Sequence, residues 1–106
     1  MGHKVVGIDF GDRARIVRSH CKNGARVRLV REPNDPWEPK AVAVLLPVPK
    51  FLGAFGLAWK KIGYINPSGN KRLAKVLDRG DSVTAQVTTY HVPPGKRPRV
   101  SIDVRC

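Results

Sequence analysis

Residues 83–104 decide the fold, and they read VTAQVTTYHVPPGKRPRVSIDV. Two runs rich in β-branched residues, Val83 to Tyr90 and Arg99 to Val104, flank the turn-forming Pro93-Pro94-Gly95. This pattern is typical of a β-hairpin with a long loop. Alternate residues of the second run are apolar, so we expect one buried face and one wet, mostly basic face. The residues expected to face inward are Val100, Ile102 and Val104.

Upstream of this hairpin, four further short apolar runs predict strands. We place these strands at Val5 to Phe10, Arg26 to Arg31, Ala41 to Leu46 and Trp59 to Ile65. Residues 47–57 are rich in proline and glycine, which predicts a loop that carries Phe51 and Phe55.

Two short helices are predicted between the strands. Asp12 is placed to cap a helix that runs through about Cys21, with Gly24 placed to end it. Asn66-Pro67-Ser68 is a strong helix start, and Gly80 follows the last apolar position of that second helix.

The order of these elements disfavours a parallel Rossmann-like sheet, because strands and helices do not alternate throughout the chain. About six short strands and two short helices favour a mainly β fold, a closed six-stranded antiparallel barrel that hides its strand edges. A length of 106 residues fits one domain, which we take to span residues 1–106.

The charge points to an anionic partner. The chain has 20 Lys and Arg residues against 8 Asp and Glu, for a net charge of +12. Seven basic residues and no acid lie between Arg13 and Arg31, and we expect this cluster to place positive potential on one side of the domain. A face that only keeps the protein soluble is the alternative, but self-repulsion makes a polyanion such as nucleic acid the better explanation.

The sequence predicts an intracellular protein that is not an enzyme. It has no signal peptide and no run long enough to span a membrane, so we expect a cytoplasmic, nucleoid-associated or nuclear location. Cys21 and Cys106 are expected to be reduced thiols. The histidines and cysteines have no zinc spacing, and no glycine-rich phosphate loop is present, so we expect no metal and no cofactor. A hydrolase would have to use Asp35 and Glu38, the closest pair of loop acids.

Three aromatic residues are candidates for stacking on unpaired bases. Trp37 lies in a proline-rich turn where a core position is awkward, Phe10 closes the first predicted strand, and Tyr64 follows Gly63. Packing in the core is the alternative for each of them.

The central segment resembles the HIRAN domain family. The resemblance rests on residues 29–44, whose Arg31-Glu32-Pro33-Asn34-Asp35-Pro36-Trp37-Glu38 precedes an Ala-Val-Ala-Val strand, and on the later Gly63-Tyr64 step before a helix. The opening Val5-Val6-Gly7 and the helix end Leu77-Asp78-x-Gly80 also match. The resemblance therefore spans nearly the whole chain and implies a modified OB-like barrel with two helices.

The resemblance also implies roles for individual residues, since the best-understood family member captures the 3′-hydroxyl end of single-stranded DNA. Asn34, Asp35 and Trp37 would line the pocket for the terminal nucleotide, with Trp37 as a stacking platform. Glu38 would accept the hydrogen bond of the 3′-hydroxyl, and Tyr64 would line the pocket and touch a phosphate through its hydroxyl.

This chain departs from the family pattern in two places. Glu38 replaces the usual Asp and is one methylene longer, and Asp9-Phe10-Gly11 lacks the basic residue and one of the aromatic residues expected there. Basic residues elsewhere are expected to substitute. The candidate contacts with nucleic acid are Phe10, Arg26, Arg28, Arg31, Asn34, Asp35, Trp37, Glu38, Tyr64 and Arg99.

We therefore expect a monomeric, non-catalytic module that binds single-stranded DNA, and its 3′ end, in DNA repair or replication, with a helicase or nuclease at the same DNA as a further partner. An RNA-binding or ribosome-associated protein is the first alternative, because a small basic barrel of this type serves RNA equally well. The second is an interaction domain for an acidic protein.

Overall fold

The computed structural model describes residues 2–50 and 56–105. The predicted positions of Phe51 and Phe55 lie outside these residues, as does Cys106. The fold is a closed antiparallel barrel of six strands in the order β1-β4-β3-β2-β5-β6, with two helices. The elements are β1 (Gly2–Val6), α1 (Arg13–His20), β2 (Arg26–Arg31), β3 (Val42–Pro49), β4 (Leu57–Ile65), α2 (Pro67–Asp78), β5 (Thr84–His91) and β6 (Arg99–Arg105).

The barrel confirms the fold class predicted from the sequence. The β5–β6 hairpin pairs from Thr84 with Arg105 to His91 with Arg99, and β6 then pairs with β1 to close the sheet. The apolar residues Val100, Ile102 and Val104 are at most 3% exposed, as their alternation predicts. Neither helix of the described ranges is long and apolar enough to cross a membrane.

The first strand differs from the prediction, which placed it at residues 5–10. β1 runs from Gly2 to Val6 and ends at Gly7, whose φ of +76° turns the chain out of the sheet. Ile8 follows in a turn and is buried, whereas Phe10 is 66% exposed. The apolar residues after Gly7 therefore anchor a loop and line a site instead of extending the strand.

The third strand is longer than predicted. It was expected to end at Leu46, but β3 continues through Pro47 and Pro49, and β4 begins earlier, at Leu57. β2 pairs with β3 only as far as Leu45, so the end of β3 pairs with β4 alone. A proline is tolerated in a strand that is paired on one side only, because the N–H that proline lacks is not needed for a hydrogen bond on the unpaired side.

The two helices begin where the sequence predicts. Asn66 caps α2, its Oδ1 accepting from the backbone N–H of Ser68 at 3.1 Å. Asp12 occupies the N-cap position of α1 but makes no side-chain cap bond, and its carboxylate pairs with Arg15 instead. α1 also ends at His20, before the expected stop at Gly24, because Cys21 is already in an extended conformation.

Gly63 holds β1 and β4 close together beside the candidate site. A methyl group at this position would overlap the carbonyl oxygen of Val6 and lie 2.7 Å from the side chain of Val5. The glycine thus permits the pairing of Val6 with Tyr64, which places the tyrosine beside the end of β1.

Candidate nucleic-acid interface

The loop between β2 and β3 is built by the carboxylate of Asp35. Its Oδ1 accepts from the backbone N–H of Trp37 at 2.8 Å and from that of Glu38 at 3.0 Å. This Asx-type turn fixes the backbone on both sides of Pro36. It presents the indole of Trp37 to solvent, where the residue is 91% exposed.

Arg31 supports the loop from below and is directed toward the protein. Its guanidinium donates to the carbonyl oxygens of Ala41 at 2.8 Å and Pro39 at 3.1 Å, and to the Asp78 carboxylate at 3.0 Å. Its side chain is only 13% exposed. Arg31 thus ties the loop to the end of α2, a role that its residue type alone did not predict.

A cavity of about 370 Å³ lies between this loop, the end of β1, the end of β4 and the start of α2. We call it the Trp37 cavity. It brings together five of the predicted site residues, which are Phe10, Asp35, Trp37, Glu38 and Tyr64. Its other lining residues are Val6, Arg13, Ala41, Ile65, Pro67 and Asn70.

Arg13 supplies positive charge to this cavity. Its guanidinium carbon lies 5.4 Å from the ring centre of Tyr64 and 5.7 Å from that of Phe10, within the range of cation–π attraction. One guanidinium N–H donates to the carbonyl oxygen of Gly7 at 3.0 Å, which fixes the side chain. Arg13 comes from the first turn of α1, three residues after Phe10, and it places a cation where Asp9-Phe10-Gly11 has none.

The hydroxyl of Tyr64 is held in a polar network with Glu32 and Lys61. It donates to Glu32 Oε1 at 2.8 Å and accepts from Lys61 Nζ at 2.9 Å, and the ammonium lies 2.5 Å from Glu32 Oε2. Partial burial alone would lower the pKa of Lys61, but the hydrogen bonds and charge of its two partners raise it. By holding the hydroxyl, the network fixes the orientation of the Tyr64 ring, over which the Arg13 guanidinium lies.

Two carboxylates also line the cavity, those of Asp35 and Glu38. Glu38 Oε1 accepts the backbone N–H of Lys40 at 2.8 Å, which orients the carboxylate. Within residues 2–50 and 56–105, no group of three histidine, cysteine or acidic side chains is placed to hold a metal ion. The cavity therefore combines aromatic faces, one guanidinium and fixed hydrogen-bond acceptors, a set suited to stacking and to recognition of a hydroxyl group.

Asn70, like Arg13, is a polar lining residue that the sequence did not single out as a site residue. It belongs to α2 and is 2% exposed, the one buried residue with a polar side chain in the described part of the core. A polar residue among the apolar positions of a helix was the available signal, since such residues are uncommon inside a protein.

The structure places the other predicted site residues outside the cavity. Asn34 belongs to the β2–β3 loop but is exposed outside the cavity, and Arg99 lies on β6 near the β5–β6 loop. Arg26 lines a separate depression with Gln86, and the guanidinium of Arg28 stacks 4.2 Å from the ring of Trp59.

The expectation that the basic cluster of residues 13–31 faces one side is therefore wrong. The cluster is divided between the helix α1 and the strand β2, and within β2 Arg26 and Arg28 share a face that Arg31 does not. Arg13 reaches the Trp37 cavity, Arg18 lines a groove by the β5–β6 loop, Arg26 and Arg28 lie on a further surface, and Arg31 points inward.

Two crystal structures share this architecture. A protein from Lactobacillus plantarum superposes with a TM-score of 0.70 at 21% identity, covering 99% of this chain and 92% of that one. The HIRAN domain of human HLTF superposes with a TM-score of 0.62 at 17% identity, covering 96% of this chain and 71% of that one. At these identities, the similarity establishes the fold. Comparison with curated protein sequences gives no significant match.

The sequence itself matches the model of one family across almost its full length. The match to the HIRAN domain covers residues 3–105, which includes the β2–β3 loop and every other element that lines the Trp37 cavity. The chain therefore belongs to the HIRAN domain family, a family of nucleic-acid-binding modules.

Proposed function

We propose that this HIRAN domain is a non-catalytic module that binds single-stranded DNA and holds the 3′-hydroxyl end in the Trp37 cavity. The observation that carries the proposal is the position of Trp37, a 91% exposed indole that lines a cavity together with fixed carboxylates and a guanidinium. An indole in water exposes a large apolar face, and covering it with a base is favourable by about 1–3 kcal/mol. Free 3′ ends arise wherever a strand is cut or synthesis stops, so the proposal includes a role in DNA repair or replication.

Each lining group has a role in this proposal. Trp37 stacks on the terminal base, and the Tyr64 ring with the Arg13 guanidinium forms a second flat surface in the same cavity. Arg13 pairs with the phosphate that precedes the terminal sugar, since a guanidinium presents several N–H donors to phosphate oxygens. Glu38 accepts the hydrogen bond of the 3′-hydroxyl, and its bond to the Lys40 N–H holds the carboxylate for that contact.

The carboxylates give a reason for distinguishing a hydroxyl from a phosphate at the strand end. Asp35 and Glu38 both line the cavity. A 3′-phosphate would bring negative charge against them, and two like charges at about 4 Å repel by roughly 1 kcal/mol in water and roughly 4 kcal/mol near a protein surface. A hydroxyl meets no such repulsion and gains a hydrogen bond.

Fluorescence anisotropy of one labelled oligodeoxynucleotide with a 3′-hydroxyl or a 3′-phosphate tests the proposal. We expect the hydroxyl form to bind at least about tenfold tighter, which corresponds to about 1.4 kcal/mol. Glu38→Gln keeps an acceptor for the Lys40 N–H but removes the negative charge, so it should reduce the ratio of the affinities for the 3′-hydroxyl and 3′-phosphate forms. Asp81→Asn, a control outside the cavity, should leave this ratio unchanged.

Three results would contradict parts of the proposal. Equal affinity for the 3′-hydroxyl and 3′-phosphate strands would refute capture of the 3′ end. Absence of binding to either strand at low salt would refute DNA binding altogether. An RNA strand of the same sequence that competes more strongly than the DNA would assign the module to RNA instead.

A further inference from the structure

A second depression adjoins the Trp37 cavity on the outer face of the barrel. It consists of two connected parts of about 720 and 870 Å³ that share Arg97, Pro98 and Arg99, and we call it the hairpin groove because the β5–β6 hairpin forms most of it. Its basic side chains are Lys4, Arg18, His91, Lys96, Arg97 and Arg99.

Strand register connects the cavity to this groove. Val6 pairs with Tyr64 across β1 and β4, and it lines both depressions. Val5 pairs with Val100 across β1 and β6, and both are buried, so the neighbouring residues face outward. Arg99 in turn pairs with His91 on β5.

Val6 and Arg99 are the next residues beyond the last β1–β6 pair, Val5 with Val100, and both line the hairpin groove. Tyr64, Val6, Arg99 and His91 therefore follow one another in a row across four strands. At a strand spacing of about 4.8 Å, three steps make this row roughly 14 Å long. A linear ligand whose end lies in the Trp37 cavity can therefore continue over Val6 into the hairpin groove.

The charge of the groove suits a polyanion. Among its described lining residues, five are Lys or Arg and one, Asp9, is acidic. Asp9 pairs with Arg97 at 3.1 Å, and the two side chains are 41% and 74% exposed. An ion pair this exposed contributes only about 0–1 kcal/mol, so a phosphate can replace the carboxylate at little cost.

We propose that the hairpin groove binds the sugar–phosphate backbone of the nucleotides that precede the one in the Trp37 cavity. This inference rests on the proposed function and extends it from a strand end to a directional track. Arg97 and Arg99 contact successive phosphates, and Asp9 weakens binding because it competes for Arg97 and repels the backbone. Binding of each phosphate by a cation releases counterions, so the contacts are visible in the salt dependence.

The test compares a 3′-hydroxyl dinucleotide with an octanucleotide over a series of salt concentrations. The variants are Arg97→Gln/Arg99→Gln, Asp9→Asn and, as a control, Lys75→Gln, whose lysine is exposed on α2 and lines neither depression. All three substituted basic residues are exposed, so the variants should keep their unfolding midpoints.

For the octanucleotide, the double variant should make the negative slope of log K against log salt shallower by about 1.4, since each phosphate contact on a single strand contributes about 0.7 to its magnitude. Asp9→Asn should bind the octanucleotide several-fold tighter. The dinucleotide should bind all variants alike, because it fills only the Trp37 cavity.

Two outcomes would overturn the inference while the proposed function stands: an octanucleotide that binds no tighter than the dinucleotide, or a double variant whose salt slope equals that of Lys75→Gln. A loss of dinucleotide binding in the double variant would also overturn it, because the groove would then not be separate from the cavity. Failure of the wild type to bind either oligonucleotide would instead refute the proposed function together with the groove.

Discussion

Replacement of Trp37 by alanine should weaken binding of single-stranded DNA about 5- to 150-fold without destabilising the fold. The residue is 91% exposed, so its indole contributes almost nothing to the core. The contact that shapes the loop is made by the Trp37 backbone N–H with Asp35, and alanine retains it. What is lost is stacking on a base, about 1–3 kcal/mol, and every 1.4 kcal/mol corresponds to a factor of ten in Kd.

The assay is fluorescence anisotropy with a labelled 3′-hydroxyl oligodeoxynucleotide at low salt, together with urea unfolding of each variant. Trp37→Phe keeps an aromatic face and should lose only a fraction of the affinity. Trp59→Phe serves as a control, since the ring of Trp59 is stacked with Arg28 outside the cavity. An unchanged Kd for Trp37→Ala would refute the reasoning, because the indole would then not be the stacking platform.

Three further predictions concern the supports of the site. Gly63→Ala should destabilise the barrel by about 1–3 kcal/mol in urea unfolding, because its methyl group would overlap the Val6 carbonyl oxygen; a wild-type midpoint would show that β1 does not lie this close. Tyr64→Phe should cost about 1 kcal/mol through the lost bond to Glu32, while oligonucleotide affinity stays within about twofold because the ring remains. Burial raises the pKa of the Cys21 thiol from 9.0 to about 11. The folded protein therefore keeps a proton that the unfolded chain releases, so stability is complete below about pH 9 and falls as the pH rises toward 11. This fall should be smaller in Cys21→Ala when unfolding midpoints are compared across that range.

The parts of the fold that the sequence predicts are those with a strict local period. β6 alternates at every position, so its first residue and its inward face could be read directly, and its end was predicted to within one residue. The end of β1 could not, because the apolar Ile8 and Phe10 continue the strand pattern while the positive φ of Gly7 ends the strand. The length of β3 likewise depends on its pairing with β4 beyond the end of β2, which the local sequence does not determine.

The residues of the candidate site likewise fall into those that lie close together in the sequence and those that only tertiary packing brings together. Asp35, Trp37 and Glu38 belong to one turn, so their neighbourhood along the chain already brings them together, and all three line the cavity. Arg13 and Asn70 reach the cavity only through the packing of two helices against the barrel. The polar side chain of Asn70 among apolar helix positions is a local signal, but it does not show which cavity the residue lines. The resemblance to HIRAN domains located the loop, whereas the cation that completes the cavity comes from a helix outside the quoted motif.

The central claim is that Trp37 covers the terminal base of a DNA strand. The chain contains two tryptophans, so Trp59→Phe leaves Trp37 as the sole indole and makes its fluorescence a direct reporter of the cavity. Titration of this variant with a 3′-hydroxyl oligodeoxynucleotide should quench the emission in a saturable manner, and the same strand with a 3′-phosphate should require at least about tenfold higher concentration. Binding detected by anisotropy with no change in Trp37 fluorescence, or identical quenching curves for the two ends, would contradict the account.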